Sequence, residues 1–561
     1  MENALFTPVT LWEGFDYNLP LETTVLKEYS EDGIRFREVY CSGREIGESR
    51  VRIFGLFAFP EGSTSLPCLL LLGDCDRGPD IELIKFVSSR GFCVFMPDYS
   101  GEKKNCERFT VYPQAVDYAN YERCGRYLEH ADTTARETCW YEWTATARYA
   151  LTQVFAMPEC GGRAAVLGFK RGGLIAWQMA AVEDRLVAAG SLFFAGWERY
   201  RGIYKYDREA NLEMDDEMRR YLAGIAVESY AAFLRAPFLY LSATNDPCTD
   251  MDRAFDTLAR VPQENDLLYA FSPRMYGMLD ERNSRNLELF FDKYLKGAEL
   301  ELPPRPQLSV EREGDELSFL VKGAENASSV SVYCAFGQPV PAMRNWLDIP
   351  VHRQDDGSYR GTLRLGELGG RIFAYALAEY ASGFTSSGNF FTRELGEESP
   401  IPARTNVLYM SADMDTDSFT CYLTDADRSL TSVFLSEPTV FLVKGPMKIN
   451  GVSNSVGGLA TYKFSDYRFR GGEDNLLRFD IYSKCAQRLK VTFFEHKGMP
   501  SERRFEAEYN LLGGEIWQPV ECRPSDFKTA EGFVMPGWTH ITLGVFEGSQ
   551  ESIALNNLIW V

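Results

Sequence analysis

Between Val51 and Gly297, short apolar runs alternate with stretches whose apolar positions recur every three or four residues. VRIFGLFAFP and PCLLLLGD predict strands, the second too continuous to have a solvated face. IELIKFVSSRG predicts a helix stopped by Gly91, and FCVFMPDYSG predicts the next strand with its loop. An amphipathic stretch over Thr138–Val154 follows, then the strand AAVLGF and a helix opening at about Gly172. The strands VAAGSLFFAG and PFLYLSAT and a last helix, RNLELFFDKYLKG, closed by Gly297, complete the series. Buried strands alternating with helices predict a mostly parallel sheet covered on both faces.

Beyond Gly297 the period changes. ELPPRPQ (301–307) is a proline-rich linker, after which LSVEREGDELSFLVKG, SSVSVYCAFG, GSYRGTLRL and GRIFAYALAEY alternate apolar and polar residues. That period of two, carried through about Leu395, predicts a small antiparallel β-sandwich. A second proline-marked joint, GEESPIPART, precedes a final all-β region from about Arg404 with strands such as NLLRFDIYS, RLKVTFFEH and HITLGVFE, read as a jelly roll. The chain therefore divides into a segment leading into the first strands (1–50), an α/β domain (51–300), a first β-sandwich (301–400) and a second (401–561).

Composition narrows the partners. A net charge of −21 over 561 residues leaves no cationic surplus for phosphates, which excludes a nucleic-acid partner. The beginning, MENALFTPVTLWEGFDYNLPLE, has acids and a proline where a signal peptide needs a basic end and an apolar core. No apolar run reaches membrane-spanning length, so no membrane partner is expected. The 13 cysteines are scattered and the chain has four histidines, without zinc-ligand spacing. A reduced, cytoplasmic protein without metal or cofactor is the expectation.

Candidate chemistry centres on GFKRGG, where a strand runs into a glycine-marked turn that opens a helix. This is the layout of a nucleophile elbow, G-x-S-x-G, with Gly168 and Gly172 in the glycine places and Lys170 in the serine place. With PCLLLLGDCDRG, SRGFCVFMPDYSGE, LYLSATNDPCTDMDRAF and FSPRMYGMLDE in order, residues 40–300 resemble the α/β-hydrolase superfamily. The closest resemblance is to its acetyl xylan esterase and cephalosporin-C deacetylase (dienelactone-hydrolase-like) branch. The resemblance implies the α/β-hydrolase fold and a Ser–His–Asp triad. Asp246 matches the acid, Lys170 replaces the nucleophile, and Arg274, Met275, Tyr276 and Gly277 occupy the histidine segment.

Two triad positions are thus lost, and an amine attacking an ester would stop at a stable amide. Lys170 has a bland reading, an ion pair with Asp246 that fills the old pocket. In a sharper one, Lys170 and Arg171 with the helix N-terminus hold a small acidic ligand. Covalent lysine chemistry is a third. Ser100 and Cys75, in loops at the sheet's C-terminal edge, are the alternative nucleophiles for an active acetyl-ester hydrolase. Asp74 and Asp76 stand where an oxyanion hole should be, which opposes ester chemistry.

The middle region resembles the Ig-like sandwiches that follow hydrolase domains in carbohydrate-active proteins. The last, through LLRFDIYS, IWQPVECRPSDFK, GWTHITLGVF and IALNNLIWV, resembles galactose-binding-like jelly rolls, the fold of many carbohydrate-binding modules. That implies sugar stacking by aromatics, with Trp517, Trp538, Tyr467 and Tyr509 as candidates, although Trp517 and Trp560 serve equally as core residues. The expected protein is a carbohydrate-related, non-hydrolytic α/β-hydrolase-like binder of glycan or small acidic ligands. The rivals are an active deacetylase and a structural subunit whose β domains drive homo-oligomerisation.

Overall fold

The computed structural model describes residues 5–104, 106–207, 212–365, 369–396, 405–410, 415–423 and 439–561. Most of the GEESPIPART joint lies outside them.

A nine-stranded sheet organises the first domain: β1 (Thr24–Glu31), β2 (Ile34–Ile46), β3 (Ser49–Pro60), β4 (Leu66–Leu72), β5 (Cys93–Pro97), β6 (Cys160–Phe169), β7 (Leu186–Leu192), β8 (Phe238–Ala243) and β9 (Leu267–Ser272). Their order is β1-β2-β3-β5-β4-β6-β7-β8-β9, and β5, β4, β6, β7, β8 and β9 run parallel. This mixed sheet with its covering helices fits an α/β-hydrolase fold. Residues 24–46 belong to it, so the sheet begins well before Val51. β1 escapes the sequence pattern because it is exposed along nearly its whole length and has no apolar face. The last helix is Glu281–Phe291, starting earlier than predicted because Asp280 caps it, and Gly297 ends the chain turn beyond it at φ 75°.

The chain passes from β4 to β5 on one side and to β6 on the other, so the strand order reverses between β4 and β6. In open α/β sheets ligands bind in the crevice at such a reversal, beyond the carboxyl ends of the strands. The loops after β4, β6, β7, β8 and β9 all open at that edge.

Four antiparallel sheets follow among the described residues. In the middle region a four-stranded and a five-stranded sheet share one core that includes Leu317, Phe319, Val332 and Ile372. In the last region a six-stranded and a five-stranded sheet enclose Phe479, Leu489, Phe493 and Trp560. The regions are not beads on linkers. Trp346, Phe373 and Tyr375 of the middle region belong to the same apolar cluster as the first domain's sheet. Ser387 Oγ also accepts the Phe271 N–H at the end of β9 (3.0 Å). Tyr276 of the first domain packs with Tyr422, Phe494 and Leu543 of the last. No helix among the described residues is long and apolar enough to cross a membrane.

Candidate functional site

The elbow is built as its glycines require. A Cβ on Gly168 would lie 2.2 Å from the Gly172 carbonyl oxygen, and one on Gly172 would lie 2.3 Å from that of Leu72. Only bare backbone lets strand, turn and helix approach so closely. Lys170 sits at φ 48°, ψ −122°, a backbone state costly for a side chain and held by its N–H to the Leu192 carbonyl (2.8 Å). The helix Arg171–Val182 begins at the next residue. The strained bend is therefore present, with an ammonium group where the hydroxyl would be.

At the reversal point Lys170 Nζ faces Asp74 Oδ2 at 3.7 Å. Burial, with Asp76 alongside, holds the Asp74 carboxyl above its ordinary value, against the pull of Lys170 and Arg171. Its other oxygen, Oδ1, accepts the Cys75 N–H at 3.0 Å. Arg171 Nε lies 3.3 Å from Glu198 Oε1. Both cations at the elbow therefore have carboxylate neighbours, and Lys170's ion pair is with Asp74 across the reversal.

Asp246 Oδ1 accepts the N–H groups of Cys248 (2.8 Å) and Thr249 (3.0 Å), and the residue is 4% exposed. It lines a cavity of about 190 Å³ together with Asp74, Lys170 and Arg171. The pocket is thus open, where an ion pair filling it was one expectation. Trp197, Tyr200 and Tyr204 supply aromatic surface, and Arg201, Asp250 and Cys248 supply polar groups. Burial, then Asp252, pushes the Asp250 carboxyl up to about 7.

The cavity wall is drawn from all three regions. Pro341 and Ala342 come from the middle one and Gly498 from the last. Tyr204 donates its hydroxyl to the Gly498 carbonyl at 3.1 Å. Gly498 adopts φ +84°, and a Cβ there would lie 2.8 Å from Ala342 Cβ. Asn245, beside Asp246, donates from Nδ2 to the Arg344 carbonyl at 2.9 Å. Behind it, Arg344 makes two 2.6 Å bonds to the Asp252 carboxylate, both side chains fully buried.

The segment 274–277 forms part of the joint between the regions. Arg274, 8% exposed, donates to the Trp346 carbonyl (3.2 Å), lies 3.7 Å from Asp417 and covers the Tyr333 ring. Ser100 is 1% exposed and donates its hydroxyl to the Cys75 carbonyl at 2.7 Å. Cys75 is fully buried, and burial followed by Asp74 pushes its thiol well above the ordinary range. Neither presents a nucleophile to the cavity.

The aromatic candidates of the last region are scattered. Trp538 is 1% exposed, its Nε1 donating to the Asn475 carbonyl, so the expectation of a sugar-stacking face there is corrected: both faces are core. Trp517 is half-buried over Gly445 and Gly451, with Nε1 donating to the Pro446 carbonyl. The Tyr467 hydroxyl accepts the Gly369 N–H, and Tyr509 lies beside Asp526. The structure does not bring these four into one site.

Sequence reasoning missed Trp197, Tyr200 and Tyr204. The signal was present in GWERYRGIYKY, a loop dense in aromatics and charges that directly follows a strand ending at the ligand edge. Ala342 and Gly498 carried no such signal.

No protein-family model and no curated protein matches the chain. Among solved structures it is similar to an acetyl xylan esterase from Paenibacillus sp. R4, at 17% identity over 49% of this chain and 90% of that one, TM-score 0.38. It is also similar to acetyl xylan esterase 1 from Thermoanaerobacterium sp. JW/SL YS485 (16%; 49% and 88%; 0.35). A third similarity is to the Pyrococcus horikoshii acylaminoacyl peptidase (13%; 50% and 51%; 0.35).

Proposed function

We propose that the first domain is an α/β-hydrolase scaffold that binds a small neutral polyhydroxylated ligand, a single sugar unit, in the elbow cavity and does not hydrolyse it. The Lys170–Asp74 pair carries this reading. It puts a cation in the nucleophile position and a carboxylate where an oxyanion would develop. The nearby Cys75 N–H is directed to that carboxylate. Ester hydrolysis needs donors at that point, and a negative charge there raises the barrier.

The lining supports a neutral ligand over an acidic one. Lys170, Arg171 and Arg201 face Asp74, Glu198, Asp246 and Asp250, so the cavity has no cationic surplus. Carboxylates and guanidinium groups bond sugar hydroxyls, and Trp197, Tyr200 and Tyr204 offer ring faces for the C–H surface. As part of the same proposal, the β regions are an Ig-like sandwich and a galactose-binding-like jelly roll. Their role would be to complete the cavity wall.

Calorimetric titration of the full chain with neutral monosaccharides and with galacturonate tests the binding. An acetyl-ester panel is run in parallel, with Lys170→Ala and Asp246→Ala beside the native protein. Saturable binding of a neutral sugar that Lys170→Ala weakens, with no turnover above the buffer rate, is the expected result. Ester turnover that depends on Asp246 would overturn it in favour of a relocated nucleophile.

A further inference from the structure

A second cavity, of about 260 Å³, lies away from the elbow between the helices Ile81–Ser88 and Glu281–Phe291. Its floor reaches Leu69 of β4 and Leu167 of β6, and Phe92, Leu287 and Phe291 form its sides. These five residues are at most 4% exposed and belong to the main core. The cleft opens at the surface, reaches the central strands and is mostly apolar, so a bound apolar group would fill it.

The rim is polar. Arg90 stacks on Phe86 (3.5 Å to the ring centre) and lies 3.9 Å from Glu288, so these two charges offset each other. Arg285, also on the rim, is exposed and makes no ion pair of its own among the described residues. Its stem passes over Gly383 of the middle region, where an added Cβ would lie 3.1 Å from Arg285 Cδ. Gly383, at φ +88°, thus leaves the space in which the arginine lies. Glu281, also on the rim, is not within ion-pair distance of Arg285, so that guanidinium is left open to a ligand's carboxylate.

The geometry points to a site for an unbranched acyl chain ending in a carboxylate, with the chain in the cavity and the carboxylate on Arg285. A cavity of about 150 Å³ holds one benzene, so this one takes a chain of roughly ten carbons. The site is independent of the elbow cavity and of its proposed ligand.

The test is calorimetric titration of the full chain with saturated monocarboxylates of increasing length, each below its micelle concentration, and with 1-decanol. Affinity should rise about fourfold per methylene, the factor set by burying one CH₂. The rise should stop near ten carbons. Leu287→Trp, or Val87→Phe if the first variant melts early, should abolish binding while the melting curve stays cooperative. Arg285→Gln should weaken decanoate about tenfold and leave decanol unchanged. The site is refuted by the absence of saturable binding, by affinity independent of chain length, by decanoate binding that survives the filled cavity, or by decanol binding as tightly as decanoate.

Discussion

The Arg344–Asp252 pair ties the cavity wall to the first domain, and its removal gives the sharpest test of the domain joint. In Arg344→Met the Asp252 carboxylate stays at 0% side-chain exposure without its cation. Leaving one partner of a buried pair costs about 3–5 kcal/mol. The Arg344 guanidinium also lies 3.4 Å from the Phe373 ring centre, and Nε donates to the Gln338 carbonyl at 3.0 Å. The loss is therefore expected at the upper end of that range, a large part of a domain's net stability of about 5–15 kcal/mol. Asp252→Ala strands the guanidinium instead, but with carbonyl and ring contacts remaining its cost should be lower. The double variant buries no unpaired charge and should cost at least about 2 kcal/mol less than the sum of the singles. Urea unfolding of the four proteins, followed by tryptophan fluorescence and scored on the first transition because the domains need not unfold together, measures this coupling. The same loop carries Pro341 and Ala342, so the proposed sugar binding should weaken in Arg344→Met and partly recover in the double variant. Additivity within about 0.5 kcal/mol would refute a coupled buried pair.

Other consequences are equally direct. Gly498→Ala places a Cβ 2.8 Å from Ala342 Cβ on a backbone at φ +84° and should both destabilise by more than about 1 kcal/mol and weaken the proposed sugar binding. Gly514→Ala, at φ +88° with nothing within 4 Å, should show the backbone cost alone, and equal binding in the two variants would count against the three-part wall. Asp250, pushed up to about 7 in the folded state from an ordinary 3.8, keeps a proton that the unfolded chain has released. Stability should therefore fall as pH rises from about 4 to 7, by at most about 1.4 kcal/mol per pH unit. Asp250→Asn should flatten that slope in pH-resolved urea unfolding; an unchanged slope assigns it to another group. Trp538→Ala should cost the last region about 3–5 kcal/mol and Trp517→Ala less, since one is fully packed and the other half-exposed, as urea or thermal unfolding would show.

What the sequence determined by itself was local. The runs PCLLLLGD and AAVLGF could only be buried strands, and Gly168 and Gly172 around Lys170 could only be a tight strand-to-helix turn, because apolar continuity and missing Cβ atoms act within a few residues. From these followed the mostly parallel sheet covered by helices and the edge of it at which the elbow lies. β1 was illegible because a strand exposed on both faces leaves no period to read. The tertiary structure alone decided the pairings. Lys170 lies beside Asp74 because the strand order reverses between β4 and β6, a fact of topology that no local pattern encodes. Nothing in the sequence marks Arg274 as a joint residue, because its contacts are with Trp346 and Asp417, more than 70 positions away. Trp538 could not be told from a sugar-stacking residue, since core and ligand site select the same aromatic chemistry and only burial separates them. Ala342 and Gly498 became cavity wall for the same reason: a contact made by backbone and a methyl group is specified by how three regions pack, and nothing in either residue's own chemistry announces it.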